Sequence, residues 1–229
     1  MREIIFDTET TGLDPKSGHR VVEIGCVEMV HKLRTGNTFH HYINPLRDMP
    51  SQAEAVHGIS GEFLLDKPVF ADVALDFIEF IGDDGILVAH NASFDMKFIN
   101  HELKTHGYQI IGDDRVIDTL AIARTQFPGA PASLDALCRR FDIDLSRRDK
   151  HGALLDAELL AEVYVELCGG KQVGIDFASN EVPVNKDMDH ITDNVVTLDA
   201  REHTVSPEEL EAHKQLISEI ENALWHKYA

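Results

Sequence analysis

The sequence predicts an α/β fold: a mixed five-stranded sheet flanked by helices, followed by a flexible tail that ends in a helix. Three observations predict it. Three strand-like runs come first, before any helical pattern. Strands then alternate with helical segments, which is the signature of a sheet covered by helices. The periodicity stops at Gly169-Gly170 and returns only near the C-terminus.

Each element has its own reason. Residues 3–7 read as the first strand, built on Ile4-Ile5-Phe6. Residues 20–30 (RVVEIGCVEMV) and 37–43 (NTFHHYI) read as two more, joined as a hairpin by a turn containing Gly36. Residues 86–90 (ILVAH) read as a buried fourth strand and 115–118 (RVID) as a short fifth. Helical patterns are expected over 71–81, 93–106, 119–126, 133–141 and 152–168, which closes a domain over residues 1–170. Residues 171–205 carry little apolar periodicity and many Asp, Asn and Thr, the composition of a flexible linker. Residues 206–229 regain order: Ser206 suits an N-cap, Pro207 the first helical position, and Glu209 a capping box. Leu210, Ile217, Ile220, Leu224 and Tyr228 then share one stripe. Such a helix either docks on a partner or folds back on the domain.

The bulk numbers bound the function. Forty Asp and Glu against 21 Lys and Arg give a net charge of −19 over 229 residues. An acidic chain binds nucleic acid poorly on its own, because phosphate binding rests on clustered cations. It would need divalent ions, a local basic patch or a partner that delivers the substrate. Cys26, Cys138 and Cys168 are scattered and odd in number, which argues against a disulfide framework or a thiolate zinc site. No apolar run approaches membrane-spanning length, and the N-terminus enters a strand with no leader-like segment, so a cytoplasmic protein is expected.

The stretch "FDTETTGLDP" raises the chemical question. Asp7 and Glu9 stand two apart on an extended segment and point to one face. Like charges that close are costly unless a cation sits between them. The ordinary alternative is a strand end with solvated acids. Further on, Asn91, Phe94 and Asp95 in "AHNASFD" open a helix after the fourth strand, and His151 and Asp156 in "KHGALLDAELLAEVY" open another. Asp95 alone would pass as a first-turn acid complementing the helix dipole. Asp156 falls near the apolar side of its helix, where an acid needs a partner. His151, ahead of Gly152, is expected on a loop rather than stacked over Asp156. Four carboxylates without cysteine suit Mg²⁺ or Mn²⁺ rather than zinc. Two such ions activate a water and stabilise a leaving oxygen in phosphodiester hydrolysis, with a histidine suited to take the water's proton.

D-x-E at 7–9, N-x-x-F-D at 91–95 and H-x(4)-D at 151–156 resemble, in order and spacing, the three motifs of the DEDDh 3′–5′ exonucleases, the DnaQ-like group of the ribonuclease H-like fold. The match covers residues 1–170, and "EAVHGIS", "VIDTLAIAR" and "SLDALCRRF" agree with it. The resemblance implies roles. Asp7 would bridge two metals, Glu9 and Asp156 would hold the one carrying the attacking water, Asp95 would serve the other, and His151 would be the general base. It also implies that Thr8, Glu9, Thr10, Gly12 and Leu13 cradle the terminal nucleotide, with Leu13 wedged against a base, and that His57 lies beside it. The alternative for the loop is a tight turn at Gly12 with Leu13 plugging the core; for His57 it is a capping or core histidine. Asn91 is expected to brace the site by hydrogen bonds, and Asp118 to cap the following helix.

Arg139, Arg140, Arg147, Arg148 and Lys150 precede His151 and suggest a phosphate-contacting rim; a solvated surface is the alternative. In the tail, "QVGIDF" resembles a bacterial sliding-clamp-binding peptide with Gln172, Ile175 and Phe177 as anchors. The terminal helix, with Trp225 near its end, would then anchor a replicative polymerase's catalytic subunit. The expected function is removal of mispaired nucleotides from a DNA 3′ end. The rivals are a stand-alone RNA or single-strand exonuclease of the same family and a non-catalytic polymerase–clamp adaptor.

Overall fold

A computed structural model describes residues 1–146, 148, 150–170 and 205–220. The clamp-like anchors Gln172, Ile175 and Phe177 lie outside the described residues, as do Arg147, Leu224, Trp225 and Tyr228. The chain divides into two units, Met1–Ile175 and Asp176–Ala229.

In the first unit, strands β1 (Arg2–Thr10), β2 (Val21–Val30), β3 (Leu33–Tyr42), β4 (Ile86–Ala89) and β5 (Val116–Asp118) form one sheet in the order β3-β2-β1-β4-β5. β1 pairs antiparallel with β2 and β2 with β3, whereas β1–β4 and β4–β5 are parallel. The mixed five-stranded sheet is therefore as expected. β1 runs three residues beyond its predicted end, because pairing with β2 carries the backbone through Asp7 opposite Gly25 and Glu9 opposite Glu23. The two acids thus lie within the ladder rather than past it.

The β2–β3 hairpin forms, but its turn is not at Gly36. Val30 pairs with Leu33 across His31 and Lys32, both at positive φ (52° and 66°), as a two-residue hairpin turn requires. Gly36, at φ 91°, falls inside β3, where the register with β2 shifts.

Helices α1 (Ser51–His57) and α2 (Gly61–Leu64) precede α3 (Phe70–Ile81), α4 (Ala92–Thr105), α5 (Thr119–Gln126), α6 (Leu134–Arg140) and α7 (Ala153–Leu167). The last five match the predicted segments within a residue or so. Alternation along β1 sends Ile4 and Phe6 to one face and Ile5 to the other. On the first face Phe6 packs with Phe70, Val73 and Phe77 of α3 and Phe98 and Ile99 of α4. On the second, Ile5, Val27, Met29 and Val88 meet Ala157, Leu160, Ala161 and Tyr164 of α7. Each fully buried Phe or Ile in these layers contributes about 1.5–3 kcal/mol. α5 and α6 then cover the outer side of α7 through Ala123, Leu137, Leu159 and Val163. Because α7 lies on the Ile5 face, it lies on the face of Asp7 and Glu9 too.

In the second unit, α8 spans Pro207–Glu219. Ser206 Oγ accepts from the Glu209 N–H and the Glu209 carboxylate accepts from the Ser206 N–H, the predicted capping box. The described helix closes at Glu219, with Ile220 extended (φ −97°, ψ 112°), so Leu210 and Ile217 of the predicted stripe stand on it, and Leu224 and Tyr228 lie outside the described residues. Leu210 and Leu216 are exposed.

Candidate active site

Sheet topology converges the three motifs. Asp7 and Glu9 come from the end of β1, Asp95 from the first turn of α4 after β4, and Asp156 from the first turn of α7. Asp95 and Asp156 are each 3% exposed, a degree of burial that acids tolerate only with partners. Asp95 has two: Thr8 donates to its Oδ1 from the backbone N (3.0 Å) and from Oγ1 (2.7 Å). Asp156 is held by Arg148, with Nε 2.5 Å from Oδ1 and Nη2 2.6 Å from Oδ2.

His151 occupies the loop before α7, as expected, but it does reach Asp156: Nδ1 lies 3.3 Å from Asp156 Oδ2 and accepts from Arg148 Nη2 at 2.9 Å. Glu9, His151 and Asp156 each offer an atom within 4.8 Å of the other two. The two carboxylates, without thiolate, offer oxygen donors that suit a hard divalent cation, and the imidazole stands beside them.

The electrostatics point the same way. Burial, then the charges of Asp95 and Glu9, push Asp7 well above the usual carboxylate range. Burial, followed by Glu23, Asp156 and Asp95, lifts Glu9 to about 8, against a counter-pull from Arg148. Burial lifts Asp95 to about 7 although the Thr8 hydrogen bonds oppose it. Three neighbouring acids that resist ionisation are short of positive charge, and a dication supplies it.

A cavity of about 560 Å³ opens beside them, lined by Thr8 to Asp14, His19, Gln52, Val56, His57 and Phe94, among others. Leu13 is 79% exposed at its rim, so it is no core plug. Gly12 packs against the His19 ring so closely that a Cβ would collide with it. His57 is buried; its Nδ1 accepts from the Ile59 N–H, and burial lowers its pKa. Thr10 Oγ1 donates to Gly12 O and steadies the loop. Asn91 sits at φ 65° and makes no side-chain cap; its backbone N–H, not its amide, does the bracing by donating to Asp118 Oδ1. Asp118 also caps α5 through the Leu120 N–H, as predicted.

The basic rim needs correction at Arg148. Its side chain is 8% exposed and paired with Asp135 as well as Asp156, so here it is a buried counter-ion rather than a phosphate contact. Arg140 lies over the Phe127 ring, and Lys150 lies against Gly58 beside His57. Sequence reasoning also passed over Glu23, His19, Gln52 and Val56. For Glu23 a signal was present: an acid within the apolar run VVEIG of a strand expected to be buried.

A family model described as exonuclease matches residues 4–164. The chain belongs to the exonuclease family. Within that family, it is 52% identical over 227 residues to the DNA polymerase III subunit epsilon of Rickettsia felis, covering 96% of this chain and 97% of that one. The epsilon subunit of Salmonella typhimurium is 43% identical over 98% of this chain and 97% of its own. Exonuclease X, solved with a 5′-overhanging duplex DNA, superposes with a TM-score of 0.59 at 29% identity over 73% of this chain and 91% of that one. The nuclease domain of 3′hExo, a DEDDh member solved with rAMP, superposes at 0.63 and 19% identity over 73% of this chain and 92% of that one, a likeness of fold. This exonuclease thus has the ribonuclease H-like sheet and is metal-dependent. No helix among its described residues is long and apolar enough to cross a membrane.

Proposed function

We infer that this exonuclease is the proofreading subunit of a bacterial DNA polymerase III, working 3′ to 5′ on a primer strand and releasing nucleoside monophosphates. The observation that carries the reading is the cluster of Glu9, His151 and Asp156, with side-chain donor atoms within 4.8 Å of one another, in which Glu9 also lines a nucleotide-sized cavity. Relatives bearing the epsilon name match nearly the whole chain, which supports the polymerase context.

Two divalent ions, Mg²⁺ or Mn²⁺, would supply an activated water and neutralise the leaving oxygen. Asp7 would serve both ions, Glu9 and Asp156 would hold the one that supplies the water, and Asp95 would hold the other. His151 takes the proton from the attacking water. Thr8, Glu9, Thr10, Gly12, Leu13 and His57 receive the terminal nucleotide, with exposed Leu13 against a base. Preference for mismatches then comes from fraying, because an unpaired end reaches the cavity with little unstacking cost. A net charge of −19 suits a cytoplasmic subunit whose DNA is delivered by its polymerase.

The tail completes the proposal. Gln172, Ile175 and Phe177 engage a sliding clamp, and the segment from Ser206 onward engages the polymerase catalytic subunit, each strengthened by tethering. Clamp affinity should be lost when Gln172→Ala and Phe177→Ala are combined; unchanged affinity removes the clamp assignment. The nuclease assignment is tested with 5′-labelled DNA and RNA primers carrying a 3′ mismatch, with Mg²⁺ or with chelator. A Mg²⁺-dependent ladder, stronger on DNA, is expected. A ladder mainly on RNA would overturn the proofreading role, and no ladder from folded protein would favour a polymerase–clamp adaptor.

A further inference from the structure

Glu23 is a fifth acid in a region already crowded with four, and it is 2% exposed. Its neighbours across β1 and β2 are Glu9 and, two residues along, Asp7 opposite Gly25. A negative charge there works against both acids, so its place needs another explanation. Its hydrogen bonds give one. Oε2 accepts from the N–H of Ala153, the first residue of α7, at 3.1 Å. Oε1 accepts from His40 Nε2 on β3 at 2.7 Å. Both oxygens are engaged, one to each neighbouring element.

α7 has no cap of its own, since its N-cap is Gly152. An acid at a helix N-terminus satisfies an orphan N–H and complements the dipole. Here that acid comes from a strand 130 residues away in sequence. Gly25 permits the approach: a Cβ there would collide with the backbone of Ala153 and Leu154. Ala153 follows His151 by two residues and precedes Asp156 by three. The clamp therefore fixes the turn that carries both.

We propose that Glu23 is a positioning residue of the exonuclease, pinning the first turn of α7 to β2 so that His151 and Asp156 meet Glu9 and Asp7. The inference rests on the active-site reading above. A misplacement of about 1 Å costs on the order of 10²-fold in rate.

The test compares the full-length wild type with Glu23→Ala, Glu23→Asp and Glu23→Gln. Turnover of single-stranded DNA is measured at saturating Mg²⁺, well below each variant's Tm. Glutamine keeps the length and an oxygen for the Ala153 N–H, and its amide donates to His40 Nε2 once the imidazole takes the other tautomer, so it should stay within about fivefold of wild type. Alanine and the shorter aspartate should lose roughly 10- to 100-fold in kcat with KM changed less than about threefold. Should alanine fail to fold, the aspartate–glutamine contrast decides. A folded Ala or Asp variant with wild-type kcat, or a Gln variant as slow as Ala, overturns the inference. Wild-type protein without turnover overturns the active-site reading itself, and this inference with it.

Discussion

Arg148 grips Asp156 with two parallel hydrogen bonds, Nε to Oδ1 at 2.5 Å and Nη2 to Oδ2 at 2.6 Å. The guanidinium thus occupies the carboxylate assigned to a metal, and the same Nη2 donates to His151 Nδ1. A guanidinium only donates, so Nδ1 is the accepting nitrogen in this arrangement. For Asp156 to receive a dication, part of this grip must be released. Arg148→Ala removes the counter-ion from an acid 3% exposed. Breaking such a pair costs about 3–5 kcal/mol where both partners are buried. The expected outcome is a lower Tm without Mg²⁺ and a larger Mg²⁺-induced rise than in wild type. Equal rises in both proteins would show that Arg148 and the metal do not compete.

Removing the base should separate chemistry from binding. His151→Ala is expected to lower kcat by roughly 10²- to 10⁴-fold, the range for a general base. The Mg²⁺-induced Tm rise should persist, because Asp7, Glu9, Asp95 and Asp156 remain. Single-turnover kinetics beside thermal melts check both halves, and near-normal turnover at neutral pH would remove His151 from the role.

The raised acids set a pH dependence of definite sign. Glu9 titrates near 8 and Asp95 near 7 in the folded protein, above their ordinary values of 4.5 and 3.8. Between those limits the folded state holds more protons than the unfolded state, so the contribution of these groups to stability falls as pH rises. Without metal, Tm should therefore decline from about pH 5 to 8. Metal needs the ionised carboxylates, so apparent Mg²⁺ affinity should rise over the same window with release of protons. Calorimetric titrations in buffers of different ionisation enthalpy measure that release. Affinity independent of pH would contradict the assignment of Glu9 and Asp95.

The wall of the nucleotide cavity depends on a remote ion pair. Arg20 Nε and Nη2 bind Glu102 Oε1 and Oε2 at 2.6 and 2.7 Å, and Thr11 exchanges hydrogen bonds with Arg20. Glu102 is 1% exposed. Arg20→Ala should cost about 3 kcal/mol, the low end for a buried pair because Arg20 is partly open to solvent. It should also raise KM more than it lowers kcat, since the loop binds rather than reacts. Denaturant melts and steady-state kinetics check the two effects.

The legible part of the sequence was its periodicity. D-x-E on a strand fixes Asp7 and Glu9 to one face whatever the fold, and the long helices α3, α4 and α7 announce themselves by apolar repeats. Short elements were not legible: α1 and α2, at seven and four residues, are too brief for a helical period. The hairpin turn at His31-Lys32 was not legible because it lacks the Asn-Gly or Asp-Gly pair that marks such turns, and pairing on both sides imposes it. Arg148's pairing with Asp156 depends on how one loop folds back over α7, which spacing does not encode. The Glu23 contact with Ala153 likewise exists only once β2 and α7 are packed.

The most direct test is excision of a mispaired 3′ nucleotide by wild type and Asp7→Ala under single-turnover conditions, with Mg²⁺ or chelator. The account predicts rapid Mg²⁺-dependent excision by wild type and none above the chelator background by Asp7→Ala, even at high Mg²⁺. Excision by folded Asp7→Ala at the wild-type rate would contradict it, because hydrolysis would then not depend on the paired carboxylates of β1.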